Sequence, residues 1–128
     1  MTRTSNYTSL KEVTTGTDVI TYISNLGTSF AVDFEYCQVD GSASTGTINV
    51  YDSSTYKEYF SLSMISAIIE TWYNLRLTVS EGQATLTNLD DPSKTITKTF
   101  TGTANRIRFS TGGTCTELRF KNIRCYPI

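Results

Sequence analysis

The chain has 128 residues, with eleven basic and twelve acidic side chains, a formal charge of −1 and no histidine. So even a balance excludes nucleic acid or an anionic membrane as the main partner, because both draw on a basic surplus. The missing imidazole removes the usual general base and the commonest metal ligand.

The length suits one domain, 1–128, in which 1–18 is read as a less regular N-terminal segment. Threonine and serine dominate, with 23 and 14 copies. Threonine is β-branched and suits a half-exposed pleated surface. A glycosylated Ser/Thr stalk would be rich in proline and poor in aromatics. Here there are two prolines against six Phe, eight Tyr and one Trp, so the expectation is a threonine-faced sheet protein. No apolar run is long enough to span a membrane as a helix, so no membrane insertion is expected. The first residues, Met1 to Asn6, have no apolar core of the kind a secretory leader needs.

Period-two alternation runs along most of the chain. In Ser29–Cys37, Phe30, Val32, Phe34 and Tyr36 point one way, and Ala31, Asp33, Glu35 and Cys37 the other. Residues 40–46 form a Gly/Ser loop, after which Ile48 and Val50 alternate with Asn49 and Tyr51. Residues 52–55 turn the chain, and Phe60, Leu62 and Met64 alternate with Tyr59, Ser61 and Ser63. Residues 66–71 are ambiguous and too short for a self-supporting helix. Tyr73, Leu75, Leu77 and Val79 then alternate with Asn74, Arg76 and Thr78, and Glu81-Gly82 makes a tight hairpin into Ala84 and Leu86. Residues 90–93 turn again, and a threonine-rich strand runs from Ile96 to Phe100. Ile107 and Phe109 mark another short strand, and Gly112-Gly113 another turn. Leu118, Phe120, Ile123 and Tyr126 mark the last strand, with Leu118 and Phe120 expected in the shared core. About nine short strands predict an all-β fold, a sandwich or barrel.

Three stretches carry a resemblance: Phe30–Tyr36, then Thr71–Val79 with the Gly82 hairpin and Ala84–Leu86, then Leu118–Ile128. Together they resemble the concanavalin A-like lectin/glucanase superfamily, and its laminin-G-like members in particular. Those members share an early Phe-rich strand, a Trp-led middle strand and a closing Leu-x-Phe-x-Asn-Ile-x-x-Tyr. The likeness covers residues 19 to 128. It implies an antiparallel two-sheet jelly-roll sandwich of about nine strands, with one concave sheet where family members often bind glycans. Short domains with the Lys121–Ile128 type of ending are similar to those appended to phage structural and cell-surface proteins, which implies a virion or extracellular-surface location within a larger parent protein. Fold alone does not give the function.

Few residues suit chemistry. Asp33 and Glu35 lie two apart on one strand, which puts their Cα atoms about 6 to 7 Å apart on one face. Glycosidases use paired carboxylates, but the resembling glucanases alternate three acids, and Cys37 stands in the third place. No catalytic residue is therefore assigned, and no enzyme activity is expected. Flat rings stack on sugars while polar neighbours orient hydroxyls. Asp33, Glu35, Asn49, Tyr51, Tyr59, Trp72 and Arg76 are accordingly the candidate ligand face, provided that their strands share a sheet; Trp72 also suits a structural cap at the sandwich edge. Asp90 and Asp91 read as turn residues, since calcium wants six or more oxygens, and no metal site or cofactor is assigned. Asn6-Tyr7-Thr8 fits the N-glycosylation triplet.

Cys37, Cys115 and Cys125 lack zinc spacing. Three free thiols are expected, although Cys37 and Cys125 would approach each other if the first and last strands pair. The expected role is a non-catalytic recognition module whose partner is a glycan or cell-surface receptor. The alternative is a structural or self-associating head domain of a phage tail or fibre protein, and glycoside hydrolysis is the remote third reading.

Overall fold

The computed structural model describes residues 21–38, 46–62, 71–111 and 118–128. The alternating segments form nine strands: β1 (Thr21–Ile23), β2 (Ser29–Gln38), β3 (Gly46–Asp52), β4 (Thr55–Ser61), β5 (Tyr73–Ser80), β6 (Gln83–Asn88), β7 (Thr95–Thr99), β8 (Arg106–Thr111) and β9 (Leu118–Pro127). Among the described residues there is no α-helix. The strands build a four-stranded sheet in the order β1-β8-β3-β4 and a five-stranded sheet in the order β7-β6-β5-β2-β9. Every pairing is antiparallel. The all-β, two-sheet sandwich expected from the pattern is the fold.

The apolar parity of each strand meets its counterpart across the sandwich. Phe30, Val32, Phe34, Tyr36, Leu75, Leu77, Val79 and Leu86 are buried from the larger sheet, and Ile48, Val50, Phe60, Ile107 and Phe109 from the smaller. Complete burial of such side chains is worth roughly 1.5–3 kcal/mol each. The sheets touch through rings: Phe34 and Phe109 lie 5.0 Å apart edge to face, and Phe109 and Phe120 lie 4.8 Å apart. One side of the sandwich is closed by lysines that cross between the edge strands. Lys98 of β7 donates to the Tyr59 carbonyl of β4 at 2.8 Å and lies 3.8 Å from Glu58.

Turn chemistry matches the sequence. Glu81 (φ 49°) and Gly82 (φ 76°) both take positive φ, as a type I′ hairpin requires. A Cβ on Gly82 would sit 2.8 Å from the Phe100 carbonyl oxygen, so the position has room only for glycine. After β6, the Asn88 side-chain oxygen accepts from the Asp90 and Asp91 amides at 2.9 and 3.2 Å, which makes residues 90–93 the expected turn.

The structure departs from the pattern in three places. β1 is a strand that three residues of alternation were too short to signal. β4 begins at Thr55 rather than near Tyr59, and its register with β3 slips between Val50 and Tyr51. A second slip lies opposite Asp33–Glu35 on β9, where Asn122 adopts φ 54°. That bulge reverses the parity of the closing strand. Ile123 and Cys125 therefore face the core with Phe120, and Tyr126 lies on the outer face. The 40–45 loop, Met64, the ambiguous stretch at 66–70, Gly112-Gly113, Cys115, the Leu118 side chain, the glycosylation triplet and the segment 1–18 lie outside the described residues.

The strands that carry Cys37 and Cys125 do pair, yet, as expected, no bridge joins the two cysteines. Cys125 pairs with Val32, whereas Cys37 stands opposite Arg119, five residues further along β2. That separation is about 16 to 17 Å, far beyond the 7 Å limit for a bridge. Neither forms a disulfide and both are buried; Cys37 keeps its outer-face parity yet is covered.

Candidate functional site

The seven candidate residues do not form one face, because β3 and β4 belong to the smaller sheet while β2 and β5 belong to the larger. Asp33, Glu35 and Arg76 stand together on the outer face of the five-stranded sheet. Asn49, Tyr51 and Tyr59 stand together on the outer face of the other. Trp72 is half-buried just ahead of β5.

On the larger sheet, Asp33 pairs with Arg76 of β5 on one side and Arg124 of β9 on the other. Its carboxylate is buried and accepts four bonds. Arg76 donates from Nε at 2.7 Å and Nη2 at 3.1 Å, Arg124 from Nη2 at 3.4 Å, and the Tyr126 hydroxyl at 3.0 Å. Such bidentate, charge-assisted pairing is strong and directional. The hydrogen bond to Asp33 raises the Arg76 pKa above its ordinary value. Burial, and then the bond to Asp33, raise that of Tyr126.

One row along, Glu35 pairs with Asn74 and accepts from the Asn122 side chain that the bulge turns toward it. Asp90 swings over from the β6–β7 turn and accepts from the Asn74 backbone amide at 2.9 Å and its side chain at 3.2 Å. These groups line a shallow depression of ≈ 450 Å³ with Leu89 at its margin. Three carboxylates, two guanidiniums and two carboxamides are thus held in place around a cup large enough for a small polar ligand. The remainder of this face is a threonine carpet in which Thr85 and Thr97 share a 3.0 Å bond. Parity alone located Asp33, Glu35 and Arg76; Asn74, Asp90, Asn122, Arg124 and Tyr126 were missed, the last three because the bulge shifts their parity.

On the smaller sheet, two cross-strand rows lie side by side, the first across all four strands and the second across β8, β3 and β4. One is Tyr22, Arg108, Asn49, Tyr59, and the other is Arg106, Tyr51, Tyr56. Tyr51 is almost covered by its neighbours rather than exposed, and its ring meets those of Tyr22 and Tyr56 at 5.8 and 5.9 Å. Tyr22, Tyr56 and Tyr59 are exposed. The outward parity of Arg106 and Arg108 around Ile107 was the available signal for the two arginines.

The arrangement can hold polar ligands by hydrogen bonding. Both Asp33 oxygens are already committed to cationic or hydroxyl donors. Among the described residues no three His, Cys, Asp or Glu side chains converge to hold a metal ion.

Beneath the cup, burial and the nearby Asp33 charge push the Cys125 thiol up to about 11 from 9.0. An acid whose folded pKa is raised favours the fold while neutral, and that contribution is lost as pH rises from the unfolded pKa through the folded one. Unfolding free energy should therefore fall between pH 9 and 11, by about 2–3 kcal/mol from this thiol. Denaturant melts across that range test it, with Cys125→Ala expected to flatten the decline.

No protein-family model and no curated protein matches the sequence. Solved structures do resemble the fold. A structure described as a sialidase aligns over 97% of this chain with a TM-score of 0.69 and 11% identity, the match being 16% of that chain. Another, described as A. japonicus CB05, aligns over 94% with a TM-score of 0.68 and 12% identity, over 26% of its length. An exo-inulinase from Aspergillus awamori aligns over 98% with a TM-score of 0.58 and 14% identity, over 30% of its length. At these identities the likeness is one of fold, and this chain spans less than a third of each of those proteins.

Proposed function

We propose that this domain is a non-catalytic carbohydrate-recognition module of the concanavalin A-like kind, and that the cup on the five-stranded sheet is its sugar site. The carrying observation is the set of oriented polar groups around the ≈ 450 Å³ depression. Sugar hydroxyls both donate and accept, so a site needs fixed carboxylates, amides and guanidiniums side by side, each held by a neighbour before ligand arrives. Asp33–Arg76, Glu35–Asn122 and Asp90–Asn74 supply such pairs, and Leu89 offers apolar contact. Support from the comparisons is indirect: a sandwich of this shape makes up part of a sialidase and of an exo-inulinase.

The non-catalytic reading rests on the committed Asp33 oxygens and the absence of histidine. Display on a virion or cell surface, within a larger protein, is the expected setting.

A glycan-array screen with Glu35→Ala and Asp90→Ala tests the reading. Both residues are at the surface, so the variants should fold with stability changes within about 1 kcal/mol. Binding present in the native protein and lost in the two variants is the expected result. Failure to retain any glycan, or binding indifferent to both changes, would favour the structural head-domain alternative.

A further inference from the structure

The outer face of the four-stranded sheet carries a feature that the cup does not use. Arg106 and Arg108 stand two residues apart on β8, about 7 Å between Cα atoms. Neither has a carboxylate within ion-pairing distance among the described residues, where the ion pairs involve Asp33 and Glu58 instead. Arg106 donates from Nη1 to the Ser53 carbonyl at 3.1 Å, and Arg108 from Nη1 to the Tyr51 hydroxyl at 2.9 Å. The Nε of each is covered and unpartnered. Arg106 stacks on Tyr22, its Cζ 3.7 Å from the ring centroid.

On the other sheet Arg76 finds an acid directly across the strand, whereas these two do not. Two guanidiniums held by ring contacts and neutral acceptors carry charge that no acid among the described residues offsets; with each Nε covered, an outside anion would meet their terminal Nη groups.

Beside them lies a second depression of ≈ 350 Å³, lined by Arg106 with Ser24, Asn25, Ser53, Ser54 and Asn105. It offers hydroxyl and amide groups next to the cation, with the exposed rings of Tyr22 and Tyr56 on the same sheet face. Carboxylate recognition, hydroxyl recognition and an apolar stacking surface are therefore contiguous. A bare anion would use only the first of these, and an acidic peptide has no ring hydroxyls for the Ser/Asn depression.

We propose that this face is a second binding site, selective for a carboxylate-bearing sugar. Arg106 takes the acid, and Arg108 adds charge beside it. The serine and asparagine side chains take ring hydroxyls, and the tyrosines take the apolar sugar face. The site lies across the sandwich from the cup and does not depend on it.

The test uses native protein titrated with a galacturonate oligomer, its methyl ester and a glutamate oligomer, followed by backbone amide NMR. The acid form should saturate with shifts at β1, β8 and residues 53–54. Methyl esterification or Arg106→Gln should weaken it roughly 10- to 100-fold, the range set by one charge-assisted hydrogen-bonded pair. The esterified ligand needs no variant to fold, so it decides the matter even if Arg106→Gln is unstable. No saturable binding of the acid form, equal binding of the ester, or equal binding of the glutamate oligomer would overturn the proposal. Loss of binding on Glu35→Ala but not on Arg106→Gln would assign the acid sugar to the cup instead and overturn it equally.

Discussion

Phe109→Ala should lower the unfolding free energy by about 3–5 kcal/mol, measured by urea denaturation with an unchanged slope. Phe109 comes from the smaller sheet and reaches two rings of the larger one, Phe34 at 5.0 Å and Phe120 at 4.8 Å. Removing it opens a cavity at the junction of the sheets and deletes two aromatic contacts worth more than their buried area. β8, which carries Phe109, and β2, which carries Phe34, are each held by ladders on both sides and cannot collapse into the gap. Tyr59→Ala, on an exposed ring, should change stability by less than about 1 kcal/mol. If the two substitutions cost the same, Phe109 does not join the sheets.

Asp33→Ala is expected to be the most damaging polar substitution. Breaking a buried ion pair by removing one partner costs roughly 3–5 kcal/mol. Here the arginine side chains are 42% and 40% exposed, against 10% for Asp33, so water can partly take over the freed guanidiniums. A loss of about 2–3 kcal/mol follows from that discount. Asp33→Asn keeps the shape and one acceptor, and should cost clearly less. Thermal melts of both variants check this. A cost for Asp33→Ala below that of Glu35→Ala would show that the carboxylate is not the anchor of this face.

Where alternation is strict, the sequence was readable. β2 and β5 alternate without a break, and Phe30, Val32, Phe34, Leu75 and Leu77 are buried as their parity predicts. The Glu81-Gly82 hairpin was legible because few dipeptides tolerate two positive φ values. Bulges defeated the reading elsewhere. The three-residue step from Phe120 to Ile123 is the visible trace of the one at Asn122, which strict period two does not anticipate.

Sheet membership was not legible at all. β2 and β3 are consecutive in sequence but lie in different sheets, so one expected ligand face became two. Outer-face burial was hidden for a related reason. Asp33 and Cys37 have outward parity yet are buried; Arg76 and Arg124 reach Asp33 from 43 and 91 residues away.

The measurement that bears most directly on the recognition reading is a backbone amide NMR titration of the native domain with the neutral oligosaccharide that the array selects. Saturable shifts at β2, β5, β9 and the 88–91 turn, with β1, β3, β4 and β8 unmoved, are the predicted result. Shifts that avoid Glu35, Asn74, Asp90 and Asn122 would contradict it.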